Sequence, residues 1–435
     1  MVSRKRINLK GATTDRRHFF RQRILWICCI CFSASLFFSR FLLTVFMISF
    51  IALAVFDWRE GNKGFYLRLN PALSKGWQYF TSHRGFWFVT LFFFLVLVGG
   101  LYNEDWGYFT ERLRIKLPFL LLPVAFAVLP TLNNRYYNSI FYAFLLFAFV
   151  SCIGVVVNYV LNQAVILENI SKGQAIPTPI NHIRYSLMLA FATLSGFVLY
   201  HKQFYWRYRW ERWLILSVSV GLFVFLHFLS VRSGLIVLYL SIAWLIARYI
   251  WITRRWLVGL GALILMISLP YLAFQLMPSF RTKYYYARYD LEMYWKGEGE
   301  SYSDSERLVS YRVGWELVKE HPLIGVGMGN LRRAVEQSYE VLYPDLQNRK
   351  MPHNQLLSVL AGSGILGLLF FLWAFFTPLF HRAAYRDIHL LILHLLIFLS
   401  FMVENTIENA IGVAFYIFFL VIGLNHQKAG LEVEK

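Results

Sequence analysis

Charge is scarce in this chain. Of 435 residues only 15% are charged, and acids are the scarcer sign, with 24 Asp and Glu against 43 Lys and Arg. Cysteine is sparse too: Cys28, Cys29, Cys31 and Cys152 lie inside apolar runs. None of their spacings suits zinc, and all four read as small apolar helix residues. No HExxH, Walker loop or nucleophile elbow occurs, so zinc-peptidase, P-loop and α/β-hydrolase chemistry lose their sequence support. The basic N-terminal stretch runs into an apolar segment without a small-residue cleavage site, which argues against a secretory signal. The chain is instead 58% hydrophobic and 19% aromatic. A soluble domain of that make-up would expose too much apolar surface, whereas a bilayer needs about 20 apolar residues per helical crossing.

Twelve apolar segments recur, at about 21–38, 41–56, 86–102, 117–132, 138–161, 185–200, 213–229, 232–247, 256–276, 353–380, 388–403 and 410–424. They predict an all-α polytopic membrane protein with about 12 transmembrane helices. Residues 1–435 form a single membrane domain, with a helical periplasmic cap over 277–352 between helices 9 and 10. Two stretches need dividing. As one helix, 24–56 would run about 50 Å, too long for a bilayer. The stretch 213–247 poses the same problem. Each is interrupted by an arginine, Arg40 or Arg232, that should sit at a surface or in a polar cavity, so both read as tight hairpins.

With both termini in the cytoplasm, the inside loops are short and basic. The first 23 residues hold eight Lys and Arg against one acid, and later inside loops carry Arg59, Lys63, Arg68, Lys75 and Arg84, then Lys202, Arg207, Arg209 and Arg212. The outside loops are balanced or acidic: one has Glu404 and Glu408 with no base, and 277–352 holds eleven bases and eleven acids. This is the positive-inside pattern, and it accounts for the net charge of +19 without nucleic acid.

Sidedness then gathers unusual polar residues. Arg40, Arg184, His227, Arg232 and His353 all fall at outer helix ends, where they could reach one cavity under the cap. Converging arginines suit a diphosphate, because guanidinium stays charged and forks onto phosphate oxygens. Each arginine alone could equally anchor a helix or pair with an acid. His353 follows Pro352 and opens a long apolar helix, where the positive dipole end favours a neutral ring able to accept a proton. Its alternative is a polar cap on that helix. Gly362-Ser-Gly-Ile-Leu-Gly367 matches a dinucleotide string but lies in an apolar helix, so close packing by small residues is the better reading. Gly325-Val-Gly-Met-Gly329 reads as a flexible turn, or as an anion-binding set of N–H groups. Glu104-Asp105 and the acids Asp304 and Glu306 could hold a metal, but interface acids are the simpler reading.

An ordered set of pieces over roughly 180–375 resembles the O-antigen ligase / O-antigen polymerase superfamily of bacterial envelope glycosyltransferases. They are Arg184 in Asn-His-Ile-Arg-Tyr-Ser, Ser230-Val-Arg-Ser-Gly234, Ser305-Glu-Arg-Leu with Arg312 and Trp315, His321-Pro-Leu-Ile-Gly-Val-Gly-Met-Gly-Asn330, and His353-Asn354 followed by Gly364-Ile-Leu-Gly367. Val231-Arg-Ser-Gly stands where Ser-Arg-Gly is usual. The resemblance implies inverting, metal-independent glycosyl transfer at the periplasmic face of the bacterial inner membrane, with no cofactor. The implied donor is a glycan on undecaprenyl diphosphate, and for a ligase the acceptor is a sugar hydroxyl of lipid A core. By the same resemblance His353 would activate that hydroxyl, and Arg184 and Arg232 would hold the donor diphosphate. Arg312, Arg307, Asn354 and Arg40 are further candidate contacts. A polymerase of the same superfamily, a lipid-linked glycan flippase and a metal-dependent transferase are the competing readings.

Overall fold

The computed structural model describes residues 9–61, 64–296 and 303–433. Helices α1 (Leu9–Phe38) and α2 (Arg40–Val55) are separated by Ser39 alone. Ser39 is extended, and its hydroxyl accepts from the Leu42 N–H to cap α2. The chain reverses there: Arg21 donates to the Leu53 carbonyl at 2.7 Å, and the Phe32 and Phe50 rings lie 5.7 Å apart. The hairpin expected over 24–56 is therefore present. Strands β1 (Phe56–Gly61) and β2 (Gly64–Leu69) follow as an antiparallel ribbon, an addition to the all-α expectation. Arg68 closes it by forking onto Asp57, its cross-strand partner. Lys63, one of the basic-loop residues, lies outside the described residues, as does the start of the chain before Leu9.

Next come the short α3 (Leu73–Ser82), then α4 (Arg84–Trp87) and α5 (Leu91–Val98), which join into one span over Arg84–Leu101. After them run α6 (Trp106–Val128), α7 (Asn134–Leu161), a short α8 (Gln163–Ser171) and α9 (His182–His201). Helix α10 (Glu211–Leu229) stops at Ser230, which is left-handed at φ 53°, and α11 (Arg232–Thr253) starts two residues later. The expected break within 213–247 is thus at Ser230-Val231, with Arg232 opening the second helix. Helix α12 (Trp256–Leu276) packs at the rim and exposes Leu257, Ile267 and Tyr271, as a lipid-facing helix should.

Segment 277–352 folds as α13 (Pro278–Trp295), α14 (Ser303–Glu320) and α15 (Leu331–Leu342). Pro278 starts α13 and Pro322 follows the end of α14. Val309, Val313, Leu317, Leu331, Val335 and Tyr339 close a core of their own, which Ala361 joins from the next helix. That helix is α16 (Gln355–Phe380), followed by α17 (Ile388–Phe401) and α18 (Ala410–Val433), which is buried from Ile411 to Asn425.

Among the described residues nine helical stretches are long and apolar enough to cross a membrane. All twelve expected segments fall on helices. The three outside the nine are α2 and α17, which are shorter apolar helices, and α6, whose first half carries Glu111, Arg112, Arg114 and Lys116.

Candidate active site

His353 sits just before α16, and its backbone is held from two sides. From α14, the Tyr311 hydroxyl donates to the His353 carbonyl at 3.0 Å, and the His353 N–H donates to Ser310 Oγ at 3.3 Å. From the α17–α18 loop, Asn405 Nδ2 donates to the Pro352 carbonyl at 2.6 Å. Asn354 caps α16, accepting from the Leu357 N–H at 3.0 Å, while its Nδ2 donates to the Met402 carbonyl. Position is thus set by backbone bonds, which leaves the ring free for chemistry.

The ring meets Glu404. His353 Nδ1 lies 3.5 Å from one Glu404 oxygen, and the other oxygen accepts from Arg184 Nη2 at 3.2 Å and from the Asn405 N–H at 3.1 Å. Arg184 also donates to the Asn405 carbonyl and to Asn181, which caps α9. Its buried Nε has no hydrogen-bond partner, so a donor is left over. Glu404 is only 5% exposed. Burial alone would push its carboxyl up, yet the His353 imidazole and the Arg184 guanidinium hold it at about 2. One carboxylate therefore ties the expected base to one expected diphosphate arginine.

A second brace fixes the loop that carries Glu404. Glu408 accepts from Lys116 Nζ and Gln355 Nε2, each at 2.7 Å, and Lys116 also donates to the Ile407 carbonyl at 2.6 Å. Arg112 bonds the Glu408 carbonyl at 2.7 Å. Here too burial alone would raise the carboxyl, and Lys116 and Arg112 hold it below its ordinary value. Two acids in a short loop thus anchor α6, α9 and α16 to one another.

Beside this array opens a polar cavity of about 500 Å³ between the N-terminus of α9, the α10–α11 break, α13 and α14. Arg232, Arg307, Lys283, His182 and Tyr286 line it. Lys283 reaches the Leu229 carbonyl at 3.4 Å. Burial, with Arg232 beside it, pushes the Lys283 ammonium down to about 8. Ile183 and Ser233 line both this cavity and the narrow cleft that holds Arg184 and Glu404, so the two are contiguous. On the other side of the α10–α11 break is an apolar groove of about 590 Å³ between α10, α11 and α12.

Residues 217–372 match the family model described as O-Antigen ligase. That segment belongs to the O-antigen ligase superfamily. No curated protein matches the chain. The matched segment contains Arg232, Arg307, Arg312, His353 and Asn354, while Arg184 and Glu404 lie outside it. The superfamily supplies the class of chemistry, that of a glycosyltransferase-like membrane enzyme acting on lipid-linked glycans. In the structure His353 and Arg184 meet at Glu404, and Arg232 and Arg307 line the adjoining cavity.

Other expected contacts lie apart. Arg312 points along the insert to the Tyr343 hydroxyl at 3.3 Å. Arg40 stands exposed on the first turn of α2 and is not among the residues lining the basic cavity. His227 lines the apolar groove and bonds the Tyr239 hydroxyl at 2.6 Å. Glu104 pairs with Arg333 at 2.7 Å, Asp105 caps α6, and Glu306 pairs with Lys350 and Asn348, so these acids have structural work. The Asp304 side chain lies outside the described residues.

The glycine strings also gain a role. Helix α16 breaks at Gly364 (φ 62°), and the loop after α14 inserts there. The Val326 and Gly327 N–H groups donate to the Ala361 and Gly362 carbonyls, and the Ile365 N–H donates to the Pro322 carbonyl. A Cβ on Gly325 or Gly364 would strike the opposing backbone. So Gly325–Gly329 is docked against α16 through the Val326 and Gly327 amides, and the Gly325 amide donates to the His321 carbonyl.

Proposed function

We propose that this protein is an O-antigen ligase. It transfers a glycan from undecaprenyl diphosphate to a sugar hydroxyl of lipid A core at the periplasmic face of the inner membrane. On this reading all twelve apolar helices cross the bilayer, segment 277–352 caps the outer face, and both termini are cytoplasmic. The observation that carries it is the Glu404 carboxylate bridging His353 and Arg184 at the edge of the Arg232–Lys283–Arg307 cavity.

The arrangement supports a direct displacement. The acceptor hydroxyl oxygen attacks the anomeric carbon of the donor sugar, and the bond from that carbon to the diphosphate oxygen breaks. The hydroxyl proton passes to His353 Nε2, since Nδ1 faces Glu404. The bonding electron pair leaves with the diphosphate, whose added charge is met by Arg232, Lys283 and the spare Nε–H of Arg184. Attack opposite the leaving group inverts the anomeric centre. The polyprenyl tail would lie in the apolar groove of α10–α12, with its diphosphate at the α10–α11 break.

Purified protein given a lipid diphosphate donor and lipid A core, without nucleotide or metal, should form the ligated product. His353→Ala should lower that rate by about 10²–10⁴ fold, the usual worth of a positioned general base. Transfer at the wild-type rate in this variant would remove His353 from the mechanism. Offering a second lipid-linked repeat as acceptor separates the readings: a polymerase elongates it, whereas a ligase requires lipid A core.

A further inference from the structure

A second cationic cavity lies at the opposite end of the bundle. Helices α6 and α18 show the distance: at one end Arg112 and Lys116 of α6 hold the Glu408 loop that leads into α18, and at the other Asn425 of α18 donates to the Leu129 carbonyl that ends α6. From Ala410 to Lys428, α18 rises about 27 Å at 1.5 Å per residue, close to the thickness of a hydrocarbon core. At that far end a cavity of about 330 Å³ is lined by Arg21, Lys75, Tyr79, Thr131 and Lys428. Its lining holds three bases and no acid.

Each base is placed differently. Arg21 is built in: it donates to the Leu53 carbonyl and to Asn70, and it faces Asp57, which also takes Arg68. Lys428 is half-buried, donates to the Ala127 carbonyl at 3.0 Å, and stands over the Tyr79 ring at 5.0 Å. Lys75 is exposed on α3 at the mouth. The neighbouring elements also carry exposed apolar side chains: Trp77 on α3 is 56% exposed, and Leu67 and Leu69, on the face of β2 opposite Arg68, are 65% and 67% exposed.

We propose that this cavity binds the headgroup of an anionic phospholipid, with the β-ribbon and α3 lying in the membrane interface. The phosphodiester enters between Lys75, Lys428 and Arg21, while Trp77, Leu67 and Leu69 hold α3 and the ribbon at the level of the acyl chains. These exposed apolar side chains favour a lipid over free phosphate: a soluble anion leaves them in water, while a bilayer covers them. Tryptophan beside lysine at a helix end is the usual make-up of an interfacial anchor. The site goes beyond the transferase reading and rests only on the protein lying in a membrane.

The experiment uses the full-length protein in neutral detergent, with native mass spectrometry and thermal unfolding as readouts. Phosphatidylglycerol should be retained and raise the melting temperature, and phosphatidylcholine of the same chain length should do so much less. Each lysine near an anionic lipid surface is worth about fivefold in affinity, so K75Q should weaken binding about fivefold and K75Q/K428Q roughly 25-fold. K428R should restore most of the second step. Lys75 is exposed, so K75Q keeps the fold, and unchanged glycan transfer by that variant confirms it. Equal retention of the two lipids, or full phosphatidylglycerol binding by K75Q/K428Q, would overturn the proposal. So would the same stabilisation by millimolar inorganic phosphate alone, which would make the cavity a free-anion site.

Discussion

The two halves of the candidate site hold their positive charge in opposite ways. In one, Arg184 is matched against Glu404, and His353 leans on the same carboxylate. In the other, Arg232, Arg307 and Lys283 line an open cavity of about 500 Å³ whose lining includes no acid. The matched half is already organised and needs no ligand to fix its geometry. In the open half burial depresses the Lys283 ammonium, and the positive charge of Arg232 beside it adds to the effect. Crowded cations bind an anion well because the anion relieves them. On the proposed reading the difference separates the work: one half would orient the proton acceptor, and the other would receive the leaving group.

The largest effect should come from breaking the matched half. Glu404→Gln keeps the shape but leaves Arg184 without its counter-charge and His353 without its orienting carboxylate. Removing one partner of a buried pair commonly costs about 3–5 kcal/mol, and chemical denaturation of the purified variant would measure that loss. Transfer should fall by roughly 10² fold or more through kcat, since the group acts on orientation rather than donor binding. The pH behaviour has a definite sign. The folded Glu404 carboxyl titrates near 2, below its ordinary value, so its contribution to stability is complete above about 4.5 and is lost only as pH falls toward 2. The Arg184–Glu404 bridge should therefore stay intact throughout the physiological range.

Next in size is Arg232→Ala in the open half. A charge-assisted hydrogen bond is worth about 1.5–3 kcal/mol, so kcat/KM for the lipid diphosphate donor should drop roughly 10- to 150-fold. Stability should change less than in Glu404→Gln, because Arg232 is only part-buried at the wall of an open cavity, where water can meet the groups it leaves. A large loss of melting temperature in Arg232→Ala, equal to that of Glu404→Gln, would erase the distinction between the halves.

Most of this frame could be read from the chain. Apolar run length located all twelve segments, the arginine interruptions marked both breaks, and side-chain type pointed to Arg184, Arg232 and His353 together with Arg40 and His227, which lie elsewhere; Arg307 entered only through the family resemblance, as the weaker alternative to Arg312. The misses have physical causes. Glu404 and Glu408 looked like loop acids, because topology needs only their sign, while their roles depend on which helices meet their loop. Lys283 looked like one base among eleven in a balanced segment, and only the packing of α13 against α10 turns it toward Arg232. The string Gly362–Gly367 looked like helix packing, whereas Gly364 marks a break filled by the loop from Pro322. The β1–β2 ribbon went unread because six-residue strands beside long helices leave little periodic signal.

A smaller effect, with a diagnostic pH profile, is expected of Lys283→Met. Its folded value near 8 lies below the ordinary 10.5, so between these values the unfolded chain holds a proton that the folded chain has released. Stability should therefore rise with pH across that window, and the variant should lack the rise. A bound diphosphate restores the proton, so donor affinity should weaken as pH climbs above 8 in the wild type. In Lys283→Met the affinity should be lower by several fold at pH 7 and flatter with pH. Calorimetric titration of a soluble polyprenyl diphosphate analogue from pH 7 to 10 would show both.

The smallest effect belongs to Arg312, and it sharpens the comparison by lying outside both halves. Its guanidinium reaches the Tyr343 hydroxyl on the outer side of the insert, and it is exposed. A hydrogen bond between exposed groups contributes little, so Arg312→Ala should change stability by no more than about 0.5 kcal/mol. Donor kcat/KM should stay within about twofold of wild type, because Arg312 is not among the residues that line the cavity proposed for the diphosphate. A tenfold loss confined to kcat/KM for the glycan acceptor would place Arg312 on the acceptor's path across the insert. A tenfold loss for the donor would mean that the insert swings during turnover and that the open half is larger than Arg232, Lys283 and Arg307.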